Sequence, residues 1–248
     1  VGLLSRMDTM ATPYPVLFNG LGAIGSETML PWTDGGMFEG WLYSNWGGYS
    51  SEANWRVAQN QVLRTCNTYN RIFLALPQAQ VADTGCRLYV YGSFLLTSQD
   101  RSWYANANSY SIFAHFPEMN LCLGQALDTA RLDITELRHA NGYYVRRFER
   151  GVVLVNPDTF SRTLSGSYPA NLVAVTPGTT IGGSRIYSVP FSSTQIGPRT
   201  ALILLSSPLN PPVIAGVGFD PPRPTDRSPN LVMARVTGLA PLFVEASL

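Results

Sequence analysis

Three acidic residues stand close together early in the chain: Glu27, Asp34 and Glu39. Two carboxyl groups about 5 to 10 Å apart can split a glycosidic bond, one as acid and the other as base or nucleophile. Asp34 stands just before, and Glu39 near the end of, the apolar run 36–41. If that run is a strand, five residues separate the two carboxyls by about 16 Å, at about 3.3 Å per residue. Their opposite parity also turns them to opposite faces. They make a poor pair, and Asp34 reads as a residue at the start of the strand. Glu39, at the downstream end, is the candidate acid, base or nucleophile. The plain alternative is a carboxylate paired with an Arg or capping a loop. Asn19 ends the preceding run, Tyr14–Phe18, where it could hold a sugar hydroxyl or cap the turn. Glu27 follows in the next loop, where it either reaches a cleft or faces solvent.

Aromatic side chains gather behind these strand ends: Trp32, Trp41, Tyr43, Trp46 and Tyr49. Sugar rings present C–H faces that stack on flat aromatic rings while their hydroxyls stay hydrogen-bonded. The stretch 41–49, with Gly47-Gly48 as a flexible point, is the most carbohydrate-like in the chain. The alternative is that these rings pack the loop. Gly20-Leu-Gly-Ala-Ile-Gly25 matches the G-x-G-x-x-G pattern of dinucleotide sites. That nucleotide-binding reading requires the loop to lead directly into a helix whose N-terminus faces an empty pocket. Neither a G-x-S-x-G elbow nor a P-loop occurs. His115 and His139 are far apart and lack an evident Cys or Ser partner. Cys66, Cys86 and Cys122 form no C-x-x-C pair, so no metal site and no cofactor is expected. Three buried thiols are expected ahead of one disulfide with one free thiol.

The elements that must position these residues follow two patterns. The runs 14–18, 36–41 and 71–76 are short and almost continuously apolar, as strands buried on both faces are. A helix is expected from Ser51 as N-cap, with Trp55, Ala58, Val62, Cys66 and Tyr69 on one stripe. A second is expected over 87–97. Alternating strands and helices signal a parallel sheet. From about residue 142 the period changes. Strands are expected over 143–149, 152–155, 172–175, 185–189 and 200–205, separated by Gly, Pro, Ser and Thr, which indicates an antiparallel sandwich or barrel. The stretch after residue 207 opens Pro-rich and reads as a linker, followed by a strand over 230–237 and another after Pro241.

Composition narrows the class. Of 248 residues, 45% are hydrophobic and only 13% charged, about half the usual charged share, which suits an extracellular or cell-surface protein. The net charge is +1 and all 17 basic residues are Arg, without the long basic run that nucleic-acid binding calls for. No apolar stretch is long enough for a membrane span. The chain starts with Val1 rather than Met, so an upstream segment is expected.

Several segments resemble, in order over residues 10–206, the largely uncharacterised TIM-barrel glycoside hydrolases that carry a C-terminal β-domain. They are Tyr14-Pro-Val-Leu-Phe-Asn-Gly20, Asp34-Gly-Gly-Met-Phe-Glu-Gly-Trp41, His115-Phe-Pro-Glu-Met-Asn-Leu-Cys-Leu-Gly124, the hairpin 144–157 with its Arg-x-Phe…Gly-x-Val-Leu-Val-Asn-Pro pattern, and Arg199–Leu205. The hairpin is the most specific of these. The resemblance implies a reaction class, glycoside hydrolysis, and adds weight to Glu39 because barrel enzymes carry their sites at the C-terminal strand ends.

The expectation is therefore α/β plus all-β. Residues 1–140 hold the C-terminal βα units of a (β/α)8 barrel, 141–207 an antiparallel β-sandwich, and 208–248 a Pro-rich linker and the start of an immunoglobulin-like module. Three βα units cannot close a barrel, so the remaining part of its own barrel, an N-terminal segment, is an expected partner, together with a polysaccharide or oligosaccharide. The expected site is Glu39 as catalytic carboxylate, with Asn19, Glu27, Trp32, Trp41, Tyr43 and Trp46 binding substrate. A non-catalytic surface protein on the same scaffold is the competing function.

Overall fold

The computed structural model describes residues 15–109, 112–165, 172–178, 181, 186–206, 213–220 and 231–237. The chain divides into two compact units, Val1–Ser207 and Pro208–Leu248.

The first unit begins with a parallel sheet. Its strands are β1 (Leu17–Asn19), β2 (Gly35–Glu39), β5 (Ile72–Leu76) and β6 (Ser102–Tyr104), in the order β1-β2-β5-β6. Between them lie a short hairpin, β3 (Tyr43–Ser44) with β4 (Gly48–Tyr49), and helices α1 (Glu52–Leu63) and α2 (Thr84–Thr97). Four parallel strands are present where three were expected. The fourth is only three residues long, too short for a period to register in the sequence.

Alternate residues of a strand face opposite ways, and the two faces of this sheet differ. Phe73 and Ala75 are fully buried on one, where Trp41 packs edge-on between Phe73 and Phe94 of α2. On the other, Asn19, Met37, Leu74 and Trp103 lie side by side in register. Leu17 shares that face and is 39% exposed, and Trp103 is 61% exposed. Parallel sheets are ordinarily covered on both faces, so this apolar face stands out.

Helix α1 starts as expected, with the Ser51 hydroxyl accepting from the Asn54 amide at 3.2 Å. Trp55, Ala58, Val62 and Cys66 are buried, and a π-helical turn, Arg64–Thr68, ends the run. Helix α2 begins three residues before the expected Arg87, because Asp83 caps it through the Cys86 amide. It is buried almost all round, as a helix packed on several sides must be. A buried polar seam joins the helices: Trp55 Nε1 donates to Ser93 Oγ, Gln59 Nε2 donates to Ser93 O, and Thr97 Oγ1 donates to Gln59 Oε1.

After the hairpin β7 (Asn106–Ser109) and β8 (Ile112–Ala114), a five-stranded antiparallel sheet follows. It is built from β9 (Tyr144–Phe148), β10 (Gly151–Asn156), β12 (Val173–Thr176), β13 (Tyr187–Pro190) and β15 (Thr200–Leu205), in the order β13-β12-β15-β10-β9. A second small pair joins β11 (Arg162–Thr163) to β14 (Gln195–Ile196). Tyr143, Leu154, Leu172, Ile196 and Leu204 form the core of this part. Helix α2 lies directly on it, for a Cβ at Gly92 would overlap the side chain of Ala201. Arg146, buried, closes the C-terminus of α2 by donating to the carbonyls of Leu95 and Ser98, where the helix dipole favours a cation.

The second unit shows two antiparallel strands, β16 (Val213–Asp220) and β17 (Leu231–Thr237), with an irregularity between Ile214 and Gly216. The first corrects the linker reading of this stretch. Between its flanking prolines lies a run of β-branched and apolar residues that pairs as a strand. The strand expected after Pro241 lies outside the described residues.

All three cysteines are free. Cys66 and Cys86 are buried, but Cys122 is exposed, which corrects the expectation of three buried thiols. Cys122 lies in the irregular stretch after a 3-10 turn, Pro117–Asn120, with Arg150 Nη1 at 3.4 Å from its sulfur. No described helix is long and apolar enough to cross a membrane.

Candidate functional site

The downstream ends of β1, β2 and β5 bring three polar side chains together. Glu39 ends β2, and the chain turns sharply behind it at Gly40, whose φ of 71° suits glycine. Asn19, the last residue of β1, donates from Nδ2 to Glu39 Oε2 at 3.1 Å. Gln78, two residues beyond β5, donates from Nε2 to Glu39 Oε1 at 3.3 Å. Each carboxylate oxygen thus accepts one amide N–H and keeps lone-pair capacity for a ligand.

Glu39 borders a cavity of about 340 Å³. Its other walls are Asn19, Phe38, the loop residues Gly20, Gly22 and Ala23, and Trp46. Trp46 sits at the tip of the β3–β4 hairpin and is 71% exposed, so its ring is available for stacking. The hairpin is tied down from the next loop, with Gln78 Oε1 accepting from the Asn45 amide at 3.0 Å and Gln80 Nε2 donating to Asn45 Oδ1 at 2.7 Å. A carboxylate, a primary amide and an exposed indole around one cavity can hold a polyhydroxylated ring and offer one oxygen anion to it.

The structure sorts the sequence-derived candidates. Glu39, Asn19 and Trp46 meet at the cavity. Trp41 does not: it is fully buried against Phe73 and Phe94, since the turn at Gly40 folds it back under the sheet. Tyr43 is half-buried and packs edge-on against Tyr49, whose ring in turn meets Tyr89 of α2. Burial raises the Tyr43 hydroxyl above its ordinary range, with Cys86 and Asp83 adding to the effect. These tyrosines glue the hairpin to the body. Glu27 is held by Arg64, with Nε at 3.1 Å and Nη2 at 2.6 Å from one carboxylate oxygen, so its charge is spent on fastening a 3-10 segment, Ser26–Trp32, to α1. Trp32 is exposed at the end of that segment and does not line the cavity. Asp34 lies at the opposite rim and accepts from the Val16 amide at 2.8 Å.

The nucleotide reading fails on the geometry of its loop. Gly20–Gly25 leads into a seven-residue 3-10 segment rather than an α-helix. The Gly20 and Leu21 amides donate to Met37 O, and the Ala23 amide donates to Gly20 O, which removes donors a pyrophosphate would need. His139 does gain a partner that the sequence did not reveal, Ser165 Oγ at 3.5 Å from Nε2. Its Nδ1 accepts from the Asn141 amide, so the neutral ring carries its proton on Nε2 and faces the hydroxyl as a donor. That is the wrong tautomer for activating a serine. Gln78 and Gln80 escaped sequence reasoning altogether.

No match to the chain is found among curated proteins. The family model described as hypothetical glycosyl hydrolase family 15 matches residues 18–152, more than half of the 248. The match spans β1 through the start of β10 and contains Asn19, Glu39, Trp46 and Gln78. The chain belongs to the hypothetical glycosyl hydrolase family 15.

Proposed function

We propose that the protein is a glycosidase acting on an extracellular or cell-surface polysaccharide, with Glu39 as a catalytic carboxylate and Trp46 as the platform for a sugar ring. The observation that carries this reading is the convergence of Glu39, Asn19 and Trp46 on one cavity at the downstream rim of the parallel sheet, the rim at which barrel enzymes place their chemistry. Membership of a hypothetical glycosyl hydrolase family supports that reaction class. The low charged fraction supports the extracellular setting.

In this reading the parallel strands are part of a (β/α)8 barrel. The face bearing Leu17, Met37, Leu74 and Trp103, exposed at Leu17 and Trp103, becomes barrel interior, covered by further strands of the same barrel from an upstream segment. The antiparallel part from residue 141 to 207 is the sandwich domain that braces it. A second reading, a glycan-binding protein without hydrolytic activity, draws on one observation: among the described residues, Glu39 is the only carboxylate lining the cavity.

A panel of neutral and acidic polysaccharides, assayed for reducing ends and for binding, tests both. Hydrolysis that disappears in Glu39→Gln supports the glycosidase. Binding without hydrolysis supports the second reading.

A further inference from the structure

Gln78 is nearly inaccessible, at 7% exposure, and its amide orientation is fixed by its neighbours. The Asn45 backbone N–H can only donate, so the group 3.0 Å from it must be the Gln78 carbonyl oxygen. The Gln78 NH2 therefore faces Glu39 Oε1 at 3.3 Å, and an NH2 group can only donate. The Gln78 main chain is held as well, its N–H donating to Tyr43 O at 3.1 Å. On the other side of the carboxylate, the Asn19 amide donates to Oε2 at 3.1 Å. Both oxygens of Glu39 therefore act as acceptors, Oε1 toward an amide whose orientation the Asn45 N–H fixes.

We infer that Gln78 is a positioning residue that presents Glu39 as an aimed, hydrogen-bond-accepting carboxylate, which makes Glu39 the nucleophile or base of the reaction and assigns protonation of the leaving group to a different residue. The inference rests on the glycosidase reading above and assigns the role of its carboxylate. As nucleophile, Glu39 forms a bond to the anomeric carbon while the bond to the leaving oxygen breaks and that oxygen takes a proton from a separate acid. As base, it takes a proton from the water that attacks in its place. Gln78 also anchors the hairpin that carries Trp46, so it couples the aim of the carboxylate to the seat of the sugar ring.

The test uses the full chain and two substrates it cleaves: a 2,4-dinitrophenyl glycoside, whose leaving group needs no protonation, and the matching alkyl glycoside. Gln78→Glu keeps an acceptor for Asn45 and replaces the amide donor with a second carboxyl, which shares a proton with Glu39. It is expected to lower kcat by about 10- to 100-fold with KM within about twofold, because Glu39 is then no longer presented as a plain acceptor. Gln80→Met loosens the same hairpin without touching Glu39 and is expected to raise KM with kcat kept. Glu39→Ala is expected to be inactive on both substrates. An unchanged kcat in Gln78→Glu overturns the inference, as does a loss confined to KM. So does a Glu39→Ala variant that still cleaves the dinitrophenyl glycoside but not the alkyl one, which would mark Glu39 as the acid and leave the glycosidase reading intact. Full activity of Glu39→Ala on both substrates would remove the reading beneath.

Discussion

Arg87 and Glu118 form an ion pair closed to solvent, with Nη2 and Oε1 3.1 Å apart and both side chains at most 2% exposed. Arg87 comes from α2 and Glu118 from the 3-10 turn after β8. Both also bond to Gly178 in the loop after β12, Arg87 to its carbonyl and Glu118 to its amide. The guanidinium lies 3.5 Å from the centre of the Phe116 ring. Three segments distant in sequence therefore meet at one charged cluster.

Removing one member strands the other charge in a low-dielectric site. Glu118→Ala should cost about 3 to 5 kcal/mol of folding stability. The double variant Arg87→Met/Glu118→Leu should recover most of that loss. Urea unfolding of the three proteins measures this, and equal losses in single and double variants would contradict it.

The two tryptophans that flank the turn at Gly40 should behave oppositely. Trp41→Ala empties a fully buried site and should cost about 3 to 5 kcal/mol. Trp46→Ala, at an exposed hairpin tip, should leave the melting temperature unchanged and raise KM by about tenfold, equivalent to about 1.4 kcal/mol of binding. Thermal melts and steady-state kinetics separate the two.

That contrast marks a limit of sequence reasoning here. Trp41 and Trp46 stand five residues apart in one aromatic stretch, and stacking chemistry fits both. What separates them is the left-handed turn at Gly40 and the following Leu42 at φ 61°, which composition does not announce. The strand end at Asn19 was legible because the apolar run 14–18 stops before it, and Glu39 was placed near the end of the run 36–41, although the strand itself stops at Glu39; parallel alignment then brings the two side chains together. Gln78 was not legible: it follows Leu76-Pro77 as an ordinary loop residue, and its role arises only from the Asn45 amide of another loop. The β9–β10 hairpin and β15 were legible because their short apolar runs and the break at Arg150-Gly151 agree with their pairing. Strand β6 is three residues long and depends on β5, a partner remote in sequence, whereas β16 lay in a stretch whose prolines suggested a linker.

Alkaline stability should follow the buried thiols. Burial pushes Cys66 and Cys86 up to about 12 each, while an unfolded thiol ionises at about 8.5. From about pH 8.5 to 12 the unfolded chain has released protons that the folded chain keeps, so unfolding gains ground as pH rises. Below that window the contribution is fully present. Denaturation midpoints should fall across it, and Cys86→Ala should flatten the slope. At pH 8 a thiol reagent should label Cys122 alone in the folded protein and all three cysteines in urea.

The central claim is that Glu39 carries the chemistry, and kcat/KM for Glu39→Gln on the glycan the protein cleaves tests it most directly, with Glu27→Gln as the control at a carboxylate spent on Arg64. The account predicts a loss of about 10³-fold or more at Glu39 and an unchanged value at Glu27. Unimpaired hydrolysis by Glu39→Gln would contradict it.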